Sequence, residues 1–172
     1  GEIVVIENGK MRSIKPFPSK TKRPCIFEYV YFARPDSILQ GQCAYEYRKN
    51  LGTQLAKECD INPDIVVPVP DSGVPSALGF SQATNKNFEL GLIRNHYVGR
   101  TFIEPSQNIR SLGVKLKLNA NKSSVKDKVI VLIDDSLVRG TTCHKIIKML
   151  YDAGAKEVHV CIACPEIKFP DF

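Results

Sequence analysis

Long hydrophobic runs are missing from this 172-residue chain: no stretch of about eighteen apolar residues occurs, so no segment reads as a membrane-spanning helix. The opening residues, GEIVVIENGK, likewise lack the apolar core of a signal peptide. These absences lead to the expectation of a cytoplasmic protein with no membrane partner. In that setting the six cysteines (Cys25, Cys43, Cys59, Cys143, Cys161 and Cys164) read as reduced thiols rather than a disulfide framework. A concentrated block of one charge is missing too. The net charge of +6 is dispersed, with modest basic clusters over 10–23 and 94–128, which suits a small polyanionic substrate at least as well as nucleic acid. The expected partner is therefore the small molecule and not nucleic acid. What remains is ordinary: 43% hydrophobic and 24% charged residues, enough for one domain with a core and too few for two large ones.

The most informative stretch is KVIVLIDDSLVRGTT (128–142). Val129 to Ile133 are apolar and mostly β-branched, which predicts a strand buried on both faces, as in the centre of a parallel sheet. Asp134 and Asp135 end it. Ser136, Gly140, Thr141 and Thr142 follow in a loop of small and hydroxyl residues, and then Ile146, Ile147 and Leu150 recur at helical spacing. Ligands of open α/β sheets bind at such strand-to-helix corners, and the glycine, hydroxyls and helix N-terminus suit a phosphate. Two carboxylates beside a bare phosphate would repel it. A sugar phosphate reconciles them, because carboxylates accept hydrogen bonds from ribose hydroxyls or hold Mg²⁺. The plainer alternative is an Asp-rich turn followed by a helix capped by Thr141 or Thr142.

DIVVPVPDSGVPSALGF (64–80) repeats this order of strand, turn and helix. Pro68 and Pro70 deny two ladder donors, so the strand is expected to end early or to lie beside an irregular edge. If the two strands are parallel neighbours, Asp71, Ser72 and Gly73 face the same rim as Asp134.

The rest of the chain carries weaker signals. IVVIENGKMRSI (3–14) predicts a hairpin turning at Asn8-Gly9, and Pro16, Pro18 and Pro24, among Lys20, Lys22 and Arg23, predict a linker. The aromatics Phe27, Tyr29, Tyr31 and Phe32 are expected in the core, with Arg34 and Asp36 facing solvent or a partner domain. A helix is predicted from Tyr45 to Glu58, with Leu51, Leu55 and Ala56 on its stripe, ended by Asn62-Pro63. FELGLIRN (88–95) reads as one strand. Residues 96–128 are polar and basic with few core signals, which predicts a lid or disorder; Arg94, Arg100, Arg110, Lys115 and Lys117 would converge on a pyrophosphate if the segment closed. KEVHVCIACP (156–165) is a last strand after a stop at Ala153-Gly154. Cys161 and Cys164 within it would point to opposite faces, a weak metal signal better explained by buried thiols.

EYVYFARPDS (28–37), PVPDSG (68–73), HYVGRTFIEPSQ (96–107) and VLIDDSLVRGTT (131–142), in this order along the chain, resemble the amidophosphoribosyltransferases, a family within the type I phosphoribosyltransferases. The resemblance implies an α/β fold of that type: a mostly parallel sheet flanked by helices, a long flexible lid loop, and a domain left incomplete at its C-terminus, over 24–172. Residues 1–23 would be the hairpin and linker from the end of a glutaminase domain. It implies transfer of the phosphoribosyl group of phosphoribosyl pyrophosphate (PRPP) to ammonia from glutamine, the opening step of purine biosynthesis. Asp134, Asp135, Arg94 and Arg100 would be catalytic, with Ser72, Asp134 and Asp135 holding Mg²⁺. Substrate contacts would come from Asp71, Ser72, Gly73, Ser136, Val138, Arg139, Gly140, Thr141 and Thr142. The full-length enzyme would be a homo-oligomer, with purine nucleotides as candidate inhibitors. An iron–sulfur cluster is not expected: Cys25 falls at one ligand position, but Asp171 stands at another. His96 and Arg94 depart from the family's arginine and lysine. The alternative reading is a module of the same fold that senses PRPP or nucleotides without catalysis.

Overall fold

The computed structural model describes residues 1–95, 97 and 118–168. Strands β1 (Ile3–Glu7) and β2 (Lys10–Ile14) form an antiparallel hairpin turning through Asn8 and Gly9, both at positive φ. That is the backbone twist which makes Asn-Gly a strong hairpin signal. No regular structure spans 15–25, in keeping with its prolines. A π-helical turn, Glu28–Phe32, follows, and here the expectation of four core aromatics fails. Tyr29 is buried, but Phe27, Tyr31 and Phe32 are exposed, because one short turn can direct only one side at the core. Arg34 and Asp36 pair with each other at the surface.

The short pair β3 (Ile38–Leu39) and β4 (Gln42–Cys43) leads into α1 (Ala44–Glu58), which stops four residues short of Asn62. Its deepest residues are Ala44, Arg48 and Gly52, while Leu51, Leu55 and Ala56 are only half-buried. Next come β5 (Ile65–Pro68), α2 (Val74–Thr84) and β6 (Asn87–Phe88). FELGLIRN is thus not one strand: the chain leaves β6 after Phe88 and pairs again only in β7 (Leu92–Arg94), in a different sheet, with β8 (Leu118–Ala120). Residues 118–128 also prove to be part of the body rather than of a lid. Leu118 and Ala120 pack on the core, and the single turn α3 (Lys122–Val125) buries Val125 completely. The last elements are β9 (Val129–Asp134), α4 (Thr141–Asp152) and β10 (Glu157–Ile162). Gly154, at φ +98, makes the expected stop between the last two. Cys164 lies beyond the end of β10, so it and Cys161 are not two faces of one strand.

The central sheet is parallel, in the order β10-β9-β5-β6. Pro68 and Pro70 therefore shorten an interior strand rather than mark an edge. The unbroken apolar run of β9 feeds two cores by alternation. Ile130 and Leu132 join Ile65, Val67, Ile146 and Leu150 on one face, and Val131 and Ile133 join Val66, Ala77 and Phe80 on the other. The helix α4 thus covers one face and α2 the other. From β5 the chain steps outward to β6, and from β9 it steps outward to β10 in the opposite direction. The strand order reverses between β5 and β9, the position at which open α/β sheets bind ligands beyond their carboxyl ends.

Candidate active site

Both turns singled out in the sequence meet at this reversal. Pro68 lies beside Ile133 in register, and the Val69 amide donates to the Ile133 carbonyl at 2.8 Å, so the β5 turn is bonded to the strand that carries Asp134. Gly73 closes that turn through its amide to the Val69 carbonyl, 2.9 Å. A Cβ on Gly73 would lie 2.3 Å from the Ile133 carbonyl oxygen, so only glycine lets the DSG turn approach β9 this closely. Ser72 is half-buried and Asp71 exposed on this turn. Arg94, at the end of β7, forms an ion pair with Asp71, which brings this cation to the rim.

The acid pair has unequal surroundings. The Asp135 amide donates to Asp134 Oδ1 at 2.9 Å, and the Ser136 amide donates to Asp135 Oδ1 at 2.8 Å. Burial pushes the Asp134 carboxyl up to about 7, and the adjacent Asp135 side chain adds to the rise. Asp135 is only 5% exposed, and its buried Oδ2 has no hydrogen-bond partner among the described residues. A buried oxygen without a donor is unfavourable unless a cation or hydroxyl completes it. The donor set of Ser72, Asp134 and Asp135 consists of hard oxygens, two of them carboxylates, and therefore fits Mg²⁺.

The loop from Ser136 reaches α4 at Gly140, whose φ of +70 few residues other than glycine adopt readily. Gly140, and neither Thr141 nor Thr142, is the N-cap, and no side chain caps the first-turn amides. Thr141, Thr142, Val138 and Arg139 are exposed, with Ser136 and Gly140 half-buried. Uncapped amides at a helix N-terminus, flanked by hydroxyls, can receive an anion. Arg100 and His96 lie outside the described residues, as does most of the expected lid.

Sequence reasoning missed Arg48. Its side chain is buried; Nε donates to the Tyr29 carbonyl at 2.8 Å and a terminal amine donates to the Ala33 carbonyl at 2.7 Å, fastening the π-turn to α1. Burial lowers its pKa and the charge of Asp135 opposes that effect. The available signal was the stripe Ala44, Arg48, Gly52, four residues apart, which places the arginine among small buried residues.

The Phosphoribosyl transferase domain family matches residues 36–168. The amidophosphoribosyltransferase of Rhizobium etli is 54% identical over all of this chain and 36% of its own length, and that of Methanothermobacter thermautotrophicus is 50% identical over 99% and 36%. A solved glutamine phosphoribosylpyrophosphate amidotransferase from B. subtilis, complexed with ADP and GMP, superposes with a TM-score of 0.82 at 47% identity, covering 100% of this chain and 38% of that one. The chain thus spans a little over a third of the length of these relatives.

Proposed function

The chain belongs to the phosphoribosyl transferase domain family and has the type I fold, and from that premise we propose that it carries the transferase half of an amidophosphoribosyltransferase. The observation that supports this most directly is the convergence of Asp71-Ser72-Gly73 and Asp134-Asp135 at the β5/β9 reversal, beside an uncapped anion loop. The substrate is PRPP and the nucleophile ammonia. The C1–N bond forms as the C1–O bond to pyrophosphate breaks, and the product is 5-phosphoribosylamine. Positive charge builds at C1 while negative charge builds on the leaving group, so no protein nucleophile is needed.

Residues 136–142 clamp the 5-phosphate: Ser136, Thr141 and Thr142 through hydroxyls, Gly140 through its backbone, with Val138 and Arg139 completing the loop. Asp134 and Asp135 accept the ribose hydroxyls, and the Arg94 guanidinium leaves Asp71 for the pyrophosphate, joined by Arg100. Ser72, Asp134 and Asp135 would hold Mg²⁺, which when bound neutralises the pyrophosphate. Residues 1–23 belong with a glutaminase domain that delivers the ammonia, and 24–172 with the transferase. The full-length protein is a cytoplasmic homo-oligomer open to inhibition by purine nucleotides. No helix among the described residues is long and apolar enough to cross a membrane.

Isothermal titration with PRPP and Mg²⁺, followed by an ammonium-dependent assay for pyrophosphate release, tests the reading. Saturable binding with turnover is expected, and both should vanish in Asp134→Asn and Asp135→Asn. Near-normal rates in both variants would overturn the assignment. Binding without turnover in the full-length protein would replace it with the PRPP-sensing module.

A further inference from the structure

Two thiols that the proposed chemistry does not use face each other across the domain. Cys59 Sγ and Cys161 Sγ are 3.5 Å apart although 102 residues separate them in sequence. Cys59 caps the end of α1 with extended backbone, and Cys161 is on β10, whose partner in register is Ile133 of β9. Both belong to the core layer between α1, α2 and the sheet. All six cysteines are free thiols.

We propose that Cys59 and Cys161 form a modification site, an intramolecular disulfide made by peroxide and undone by thiols. Closing the contact from 3.5 Å to the bonded distance of about 2.0 Å requires the sulfurs to approach by about 1.5 Å. Cys59 can supply that movement, since it stands where the helix has ended and the chain through 60–63 has no regular structure. Cys161 cannot, being held in a strand.

The two thiols have different roles. Cys59 is half-buried and reaches solvent, whereas Cys161 is only 8% exposed, and burial beside Cys59 pushes its thiol up to about 12. Cys59 is accordingly the peroxide-reactive sulfur: its thiolate attacks one peroxide oxygen, the O–O bond breaks, and Cys59 becomes a sulfenic acid as hydroxide leaves and is protonated to water. The Cys161 sulfur then attacks the Cys59 sulfur. The S–S bond forms, the S–O bond breaks, and the Cys161 proton leaves with the departing oxygen as a second water. Two thiols and one hydrogen peroxide give one disulfide and two waters. The high pKa of Cys161 makes this second step slow at neutral pH and faster as pH rises.

The location makes the bond consequential for the acid pair. Ile162 is the register partner of Asp134, the Ala163 amide donates to the Asp134 carbonyl at 3.0 Å, and the Cys164 amide donates to the Asp135 carbonyl at 2.9 Å. A covalent tie from α1 to Cys161 therefore anchors β10, the strand whose end is hydrogen-bonded to the backbone of both acidic residues.

The test treats the 172-residue chain with hydrogen peroxide and maps cysteines by mass spectrometry. The expected product is a monomer about 2 Da lighter, with one cross-linked peptide pair containing Cys59 and Cys161, reversed by dithiothreitol. Its Tm should be raised by about 5–15 °C, because the bond closes a loop of about a hundred residues. Cys59→Ser should abolish the product. Cys161→Ala, checked by circular dichroism, should leave a Cys59 sulfenic acid that dimedone captures; should that variant not fold, the wild-type peptide map and Cys59→Ser decide alone. Cysteines scrambled among several pairs, an intermolecular dimer, or Cys59 going to sulfinic acid without the cross-link would each overturn the proposal.

Discussion

Replacing Asp134 by asparagine should make the protein more stable while removing the proposed activity. Burial and the adjacent Asp135 raise the Asp134 carboxyl from 3.8 to about 7. A carboxyl with a raised folded pKa binds its proton more tightly folded than unfolded, so its contribution is fully favourable below the unfolded value and is lost as pH rises from about 4 to about 7. Three pH units at about 1.4 kcal/mol each set an upper bound of about 4 kcal/mol on that loss. Coupling to Asp135 and local relaxation reduce it, and about 2 kcal/mol is the working expectation. Asparagine keeps the shape and an oxygen to accept the Asp135 amide, but never ionises. At pH 8 the variant should therefore melt about 5 °C above the wild type. At pH 4 the two should coincide, and only the wild type should lose stability between those limits. Thermal and urea melts at pH 4, 6 and 8 measure this. Equal stabilities at pH 8, or parallel pH profiles, would show that Asp134 is not held against its charge. Adding Mg²⁺ with pyrophosphate should close the gap by stabilising the wild type alone.

Gly73→Ala should cost about 2–3 kcal/mol in urea unfolding and weaken PRPP binding, because its Cβ would meet the Ile133 carbonyl oxygen at 2.3 Å. Gly140→Ala has open space around it and only the positive φ to oppose it, so stability should fall by about 1 kcal/mol while titrations show phosphate affinity reduced about tenfold. Gly79→Ala, whose Cβ would lie 1.9 Å from the Lys49 carbonyl oxygen, should destabilise the protein by about 3 kcal/mol and lower PRPP affinity although it is remote from the ligand. Arg48→Met should lose about 2–4 kcal/mol through the orphaned Tyr29 and Ala33 carbonyls, and increased proteolysis within 25–36 would report the freed turn.

How far these features were legible depends on whether their cause is local. The run Val129 to Ile133 announced a strand buried on both faces because every side chain is apolar, and the structure divides it between two cores. Gly140 announced a tight turn into a helix because the backbone constraint belongs to the glycine itself. The adjacency of Asp71-Ser72-Gly73 to Asp134 could be stated only as conditional on parallel pairing, since register is a property of two distant segments. Arg48 was invisible because an arginine in a helix reads as solvated, and the carbonyls that satisfy it lie 19 and 15 residues earlier. Val125 is one apolar residue in a polar stretch, so composition hid a segment that the core requires. The aromatics misled for the opposite reason: composition shows a tendency to be buried, but the π-turn decides which ring turns inward.

The same distinction explains what holds the site in shape. The DSG turn has few bonds of its own beyond the Val69, Gly73 and Val74 amides and the Arg94–Asp71 ion pair, but it opens α2, and α2 is fixed against α1 by backbone contact at two glycines. Gly52 faces the Ser76 carbonyl and Gly79 faces the Lys49 carbonyl, each so closely that a methyl group would overlap. The Ser76 hydroxyl then donates to the Arg48 carbonyl at 3.0 Å. A helix pair in such contact resists sliding better than one separated by long side chains, because there is no rotamer freedom to absorb a shift. Position is thus transmitted from the π-turn through Arg48 to Ser76, along α2 to Gly73, and across to Ile133. The carboxylates at the end of that path oppose the stability of the fold, so the rigidity that keeps them in place has to come from residues that touch no ligand.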